Sequence, residues 1–378
     1  MLTLGIFGTS LKENEKRIPI YPEHVQYISS ELRKHFIFEE GYGLAYGYND
    51  KYFLNLGARI ACRDELFESA DALLLPKPVD EDLIKMKENK ILWGWPHCVQ
   101  NFNTAQYAID KKLTYIAFES MYDWDKNGNK LMHIFYRNNE LAGYAAVIHM
   151  LQLCGIDGFY GPRRKVVVMG FGSVSKGAIF ALHGRGFNNI HVFTKRPSHL
   201  VVDKHPDVYY YNYYSEDGEL HYRENETNKI GKLIDSLAEA DIIINGILQN
   251  PIEPTIFVKT KDLAKLKNNT IIIDISCDKG MGFDFAQPTT FDNPIIGLER
   301  GIKYYSVDHT PTYLWHSASR EISLALRPYI EIVLKGEDCW FKNETIKKAI
   351  EIKNGIILND TIIKFQNREP KYPYSRIS

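Results

Sequence analysis

The sequence predicts an α/β protein of two domains, each built on a mostly parallel sheet. Three observations carry the prediction. The chain has 378 residues, a length that suits two to three domains. Short apolar runs of the kind that form buried strands alternate with helical patterns along most of it. The rhythm breaks once near the middle, at a helical stretch rich in Ala and small residues, and then restarts.

The first strand is Leu2 to Phe7. A helix follows from the Pro22-Glu23 pair through His24 to His35, with Val25, Ile28 and Leu32 at helical spacing. Phe36–Glu39, Ala72–Pro76 and Lys90–Trp93 read as further buried strands. The middle helix spans Asn139 to Leu153. Beyond it come the Val-rich strand before Gly170, then Ile190–Thr194, Ala240–Asn245, Thr270–Ile275 and Tyr304–Val307. After Pro311 the pattern turns helical, Ser319 to Leu334. The tail from Asp338 predicts a helix over Glu344–Glu351 and a hairpin around Asn354-Gly355 and Asn359-Asp360. Residues 140–307 form one predicted domain. Residues 1–139 with 308–378 form the other, and a cleft between the two is expected.

Composition narrows the function. Lys and Arg number 46 against 47 Asp and Glu, a formal net charge of −1. Nucleic-acid and membrane-surface binders need a basic excess that is absent here. Small-molecule chemistry or protein partners remain as the default, and a homo-oligomer stays open. The 5 cysteines are scattered with no C-x-x-C pair, which argues against a zinc ribbon or a disulfide framework, and no metal site is expected. No apolar run approaches a membrane span, and the N-terminus lacks the pattern of a signal peptide. A cytoplasmic protein with reduced thiols is expected.

The strongest local motif is Gly170-Phe171-Gly172-Ser173-Val174-Ser175-Lys176-Gly177-Ala178, which follows a Val-rich strand and opens a helix. That is the context of a dinucleotide-binding loop, so the second domain is expected to be a doubly wound, Rossmann-like sheet. Gly170 permits the tight turn and Gly172 lets the backbone approach a pyrophosphate, which the helix N-terminus then attracts. Ser175 stands where the third glycine is expected. The competing reading is a tight turn with no ligand. The following strand ends in Thr194-Lys195-Arg196, where an enzyme using NAD(H) would place an acid for the ribose hydroxyl. A hydroxyl and two cations suit a 2′-phosphate instead, favouring NADP(H) over NAD(H). The bland alternative is a solvated turn with the acid elsewhere.

Three N-terminal segments place polar residues where strands end: Glu15-Lys16-Arg17-Ile18-Pro19, Pro76-Lys77-Pro78 and Trp93-Gly94-Trp95-Pro96-His97. Singly, Arg17, Lys77 and His97 each have an ordinary surface or loop reading. Together with the glycine loop they form a set that resembles the alanine dehydrogenase/saccharopine dehydrogenase superfamily. Further markers are Ala142-Gly143-Tyr144-Ala145, Asp274-Ile-Ser-Cys-Asp278 and Ser306-Val307-Asp308-His309-Thr310-Pro311. The Val-Ser-x-Gly-Ala form of the loop is similar to that of the N5-(carboxyethyl)ornithine synthases. Asp308-His309-x-Pro311 and the stretch from Phe118-Glu119 to Gly143-Tyr144 also look like saccharopine dehydrogenase. The likeness reaches to about Leu334, and the tail beyond matches neither.

The resemblance implies two Rossmann-like domains and an opine-type reductive condensation. In that reaction the amine of ornithine or lysine attacks a 2-oxo acid such as pyruvate, water leaves, and the imine is reduced with NADPH. It casts Arg17 as the clamp for the oxo-acid carboxylate, Lys77 as the group that polarises the carbonyl or shuttles a proton, and His97 as general acid and base. It places Asp278 beside nicotinamide and substrate, and Asp308 and His309 near the nicotinamide or the amino substrate. Alanine dehydrogenase chemistry with ammonia and saccharopine dehydrogenase chemistry with 2-oxoglutarate and lysine are the neighbouring alternatives. A non-catalytic NADP(H) sensor is the alternative of another class.

Other features carry no chemistry of their own. Tyr209–Tyr214 reads as an aromatic strand or packed insertion, with an interface patch second. Cys277 reads as a packing residue. Cys98 and His97 are neighbours along an extended chain and should point to opposite faces. His24 and His35 are expected on a helix surface.

Overall fold

In the computed structural model, residues 1–197, 204–224, 227, 229–250 and 253–377 are described. The chain divides into two compact units, residues 1–136 with 315–378, and residues 137–314.

In the first unit β1 (Leu4–Ile6), β2 (Phe36–Glu39), β3 (Arg59–Ala61), β4 (Ala72–Leu74), β5 (Ile91–Gly94) and β6 (Thr114–Ala117) are parallel. β20 (Ile350–Lys353) and β21 (Ile356–Ile357) join antiparallel at the β6 edge, giving the order β21-β20-β6-β5-β4-β1-β2-β3. Most of these strands are buried on both faces, as a covered parallel sheet requires. One face packs Leu4, Phe36, Trp93 and Ile116 against Ile322, Leu326 and Ile330 of the Trp315–Leu334 helix. The other packs Leu73, Leu92 and Tyr115 against Ala105, Ala108 and Ile109. A short ribbon of β7 (Tyr122–Trp124) and β8 (Lys130–His133) completes the unit.

The second unit holds β9 (Val166–Met169), β10 (Ile190–Thr194), β11 (Val208–Glu216), β14 (Ile242–Asn245), β16 (Ile271–Asp274) and β19 (Lys303–Tyr305), all parallel. β12 (Glu219–Glu224) and β13 (Ile230–Lys232) extend one edge, and β18 (Ile295–Gly297) the other, all antiparallel. The order is β13-β12-β11-β10-β9-β14-β16-β19-β18. The parallel part is the doubly wound order, whose direction reverses between β9 and β14, and ligands of such sheets bind at the carboxyl ends of the strands there. β15 (Ile256–Val258) and β17 (Gly282–Phe283) make a separate pair. The helices Tyr136–Cys154 and Ser173–Gly184 cross closely: a Cβ at Gly143 would lie 1.9 Å from Val174 O, and one at Gly177 1.8 Å from Glu140 O.

Several local expectations are corrected. The helix from His24 to His35 is broken: a 3-10 turn spans Pro22–Tyr27, Ile28 and Ser29 are extended or nearly so, and an α-helix covers only Ser30–Arg33. Ser29 causes the restart, since its hydroxyl accepts Leu32 N–H. His24 is buried rather than on a surface, its Nδ1 2.8 Å from Ser323 Oγ. The tail helix stops at Ala349, so Glu351 sits on β20. Asn354 and Gly355, both at positive φ, do turn a hairpin. Asn359 makes none; it is the N-cap of Asp360–Phe365, its side chain accepting Thr361 N–H at 3.0 Å. Tyr209–Tyr214 lies within β11, with Tyr211 and Tyr213 on the face opposite Tyr210.

Candidate active site

In the first unit the site is built at the carboxyl ends of β4, β5 and β6. Gly94 permits it: a Cβ there would lie 2.0 Å from Leu75 O, so only glycine lets the segment after β4 lie against the end of β5. Leu75 N–H donates to Trp93 O at 3.2 Å and Trp95 N–H to Pro76 O at 2.8 Å. The two loops carry Lys77 and His97, and Lys77 Nζ stands 2.9 Å from His97 Nε2. His97 has φ +49°, a conformation unusual for a non-glycine residue and held here by its neighbours. Its N–H donates to Glu119 Oε1 at 2.7 Å, and its Nδ1 lies 3.8 Å from the same oxygen. Cys98 points away into the opposite core layer, where burial pushes its thiol well up.

Trp95 gathers the cations. Lys77 Nζ lies 5.7 Å and Arg17 Cζ 5.4 Å from its ring centre. Arg17 is buried and gripped by Glu15: Arg17 Nε donates to Glu15 Oε1 at 2.8 Å, and Nη2 donates to Oε2. The irregular segment that bears Arg17 is fixed by Ser319, whose Oγ accepts Ile18 N–H, and by Tyr42, whose OH accepts Ile20 N–H, both at 2.9 Å.

Two carboxyl groups lie behind His97. Glu351, from the C-terminal tail, accepts Ser120 Oγ at 2.6 Å and Asn359 Nδ2 at 3.2 Å. The Oε2 atoms of Glu119 and Glu351 are buried and without a hydrogen-bond partner among the described residues. Burial raises the pKa of both, and the charge of Glu351 adds to the rise at Glu119.

In the second unit the glycine loop closes β9. Gly170 has φ +88°, and a Cβ on it would meet Ile247 Cγ1 at 2.7 Å. Gly172 is exposed, with nothing within 4 Å of where a Cβ would stand, and it precedes the Ser173–Gly184 helix with no side-chain cap. Ser173 and Val174 form the first turn of that helix. An open glycine at an uncapped helix N-terminus fits a dinucleotide pyrophosphate. Ser175 and Gly177 are buried: Ser175 Oγ donates to Met169 O at 3.2 Å, and Gly177 is the close-packing glycine between helices.

At the end of β10 the three predicted residues part company. Thr194 is buried, its hydroxyl accepting Arg196 N–H at 3.3 Å. Arg196 Nη2 donates to Phe171 O of the glycine loop. Lys195 is exposed, its Nζ 5.9 Å from the Tyr213 ring. Asp308 and His309 form a local pair, His309 Nδ1 standing 3.1 Å from Asp308 Oδ2, with His309 at φ +41°. Asp278 has a raised pKa, from burial and then from the charge of Asp308, which puts these two acids in one neighbourhood. Cys277 is enclosed, its Sγ donating to Val307 O at 3.3 Å, and burial pushes its thiol well up. Asp274, which ends β16, is fully buried, accepts Asn245 Nδ2 at 2.9 Å and Tyr304 OH at 2.7 Å, and is pushed up to about 7 by burial.

Sequence reasoning assigned no role to Glu15, Glu119, Glu351 or Asn245. An acid just past the end of a buried parallel strand marks Glu119. Nothing local marks Glu351, which meets Ser120 across 231 residues of chain.

Comparison with known proteins adds a family to this geometry. The model for the alanine dehydrogenase/PNT N-terminal domain matches residues 10–139, and that for the C-terminal domain residues 145–360. An N(5)-(carboxyethyl)ornithine synthase of Clostridium botulinum is 28% identical over 84% of this chain and 90% of its own length. Alanine dehydrogenase 1 of Staphylococcus aureus is 23% identical over 92% of this chain and 93% of its own. A solved L-alanine dehydrogenase superposes with a TM-score of 0.76 at 18% identity, covering 96% of this chain and 99% of that one. With the two family models together spanning nearly its whole length, the chain belongs to the alanine dehydrogenase/PNT family of NAD(P)-dependent oxidoreductases.

Proposed function

We propose that the protein joins a 2-oxo acid, pyruvate first, to the amine of ornithine or lysine and reduces the resulting imine, using NADPH. The observation that carries this reading is the contact between Lys77 Nζ and His97 Nε2 at 2.9 Å, beside an Arg17 that shares the Trp95 ring. The chemistry needs a fixed cation for a carboxylate, a group that hydrogen-bonds the carbonyl oxygen, and a base that takes up and returns a proton as water leaves. Arg17, oriented by Glu15, supplies the first. Lys77 supplies the second. His97 supplies the third, and its direct contact with Lys77 gives a proton a path between them. The relatives named N(5)-(carboxyethyl)ornithine synthase support the choice of an amino acid over ammonia as amine.

A nicotinamide dinucleotide supplies hydride when bound. Gly170, Gly172, Ser173 and Val174 would hold its pyrophosphate at the N-terminus of the Ser173–Gly184 helix. The exposed Lys195, and the lack of an acid at Thr194-Lys195-Arg196, favour the 2′-phosphorylated form. Asp278, Asp308 and His309 are assigned to the nicotinamide and the amino substrate.

The test is NADPH oxidation with pyruvate, 2-oxoglutarate and glyoxylate, each crossed with ornithine, lysine, alanine and ammonia. Turnover that requires pyruvate and a diamino acid supports the reading. Turnover with pyruvate and ammonia alone makes the protein an alanine dehydrogenase. NADPH binding with no turnover across the panel makes it a sensor.

A further inference from the structure

The second unit contains a chamber of about 790 Å³, in which Lys195 is the one described lining residue that the sequence marks for a ligand. Its walls are the end of β10, the end of β11 with its turn into β12, and the segment around and after β15. The β10 and β11 walls lie at the carboxyl edge of the sheet, β10 adjoining the strand that bears the glycine loop and β11 lying beyond it, and Ile247, just past β14, packs against Gly170. A dinucleotide whose pyrophosphate rests on Gly170–Gly172 extends its adenosine end toward β10 and β11.

The chamber is strongly positive. Among the described residues, five lysines line it against two acids. Lys232 pairs with Glu219 at 2.7 Å and Lys265 with Asp262 at 2.8 Å. Lys195, Lys259 and Lys261 form no ion pair with any described residue, which leaves a surplus of three positive charges facing one space. Such a cluster repels itself and favours an anion of more than one charge. Tyr213 and Phe257, packed edge to face with centroids 5.9 Å apart, give the same space an aromatic wall. A cavity of this size accommodates a nucleoside phosphate. Arg196 is drawn to the glycine loop by its bond to Phe171 O, so it stands apart from this set.

We propose that this chamber receives the phosphorylated adenosine end of NADP(H), with Lys195, Lys259 and Lys261 around the 2′-phosphate. The inference rests on the NADPH reading and extends it: two of the three specificity lysines come from the segment after β15, outside the β10 turn where such residues are normally sought.

The test measures dissociation constants of the full chain by fluorescence titration with NADPH and NADH, for the parent and for the exposed double variant Lys259→Ala/Lys261→Ala. Competition with adenosine 2′,5′-bisphosphate is measured alongside. The expected result is a rise of about tenfold or more in the NADPH constant, with the NADH constant within about twofold. The bisphosphate should compete with NADPH and lose affinity in the same variant. An NADPH preference in the parent that survives the double substitution overturns the assignment of Lys259 and Lys261. Bisphosphate bound without displacing NADPH makes the chamber a separate nucleotide site and overturns it equally. A parent that binds NADH and NADPH alike refutes the cofactor reading itself, and with it this inference.

Discussion

Gly94→Ala tests whether backbone packing between β4 and β5 sets the distance between Lys77 and His97. The added Cβ would stand 2.0 Å from Leu75 O, where Cβ atoms essentially never come closer than 3.0 Å. The two strand ends must therefore part by about 1 Å, and they bear the residues now in contact at 2.9 Å. A misplacement of that size costs on the order of 10²-fold in rate, or about 2.7 kcal/mol of barrier. The glycine loop lies in the other unit, so NADPH binding should persist. The assay is steady-state NADPH oxidation together with NADPH fluorescence titration and a thermal melt. A variant that keeps its fold and its NADPH affinity, yet has kcat within threefold of the parent, would refute the argument that Gly94 positions the pair.

Lys77→Ala and His97→Ala should each lower kcat by about 10²- to 10⁴-fold with NADPH affinity unchanged, and full activity in both would sink their assignment. Lys195→Ala should raise the KM for NADPH by about tenfold and leave that for NADH alone; equal effects on the two cofactors would contradict a phosphate contact. Asp274 gives a pH prediction. Its pKa is about 7 in the folded chain against 3.8 for an ordinary aspartate. Between those values the folded protein keeps a proton that the unfolded chain releases, so stability is full below about pH 4 and falls as pH rises to about 7. The loss is at most about 4 kcal/mol. Urea melts at pH 5 and pH 8 should therefore differ less for Asp274→Asn than for the parent, and an unchanged difference would exclude Asp274 as its source.

What the sequence disclosed follows the range of the interactions involved. Strands buried on both faces are written as continuous apolar runs, and Val166–Met169, Ile190–Thr194 and Ile242–Asn245 all lie within the predicted segments. The glycine loop was equally plain, because strand, turn and helix are neighbours in the chain. The segment around His24 misled because its apolar spacing suits a helix, whereas burial of His24 against Ser323 and the cap at Ser29 decide its shape. Lys77, His97 and Arg17 were nameable only as a set with a family likeness. The meeting of Lys77 with His97, and of Lys77 and Arg17 with Trp95, depends on the ends of β4 and β5 and on a loop tied to Ser319. Glu351 was hidden in a tail where sequence reasoning found no family motif, although the C-terminal family model reaches residue 360, and the antiparallel pairing of β20 with β6 carries it to Ser120.

The central claim is that one active site forms a new carbon–nitrogen bond and reduces it. Mass spectrometry of the product made from pyruvate, ornithine and NADPH deuterated at the transferable position tests it directly. The account predicts a secondary amine joining the two acids, with one deuterium on the former carbonyl carbon of pyruvate. Deuterium recovered in alanine or lactate, with no joined product, would contradict it.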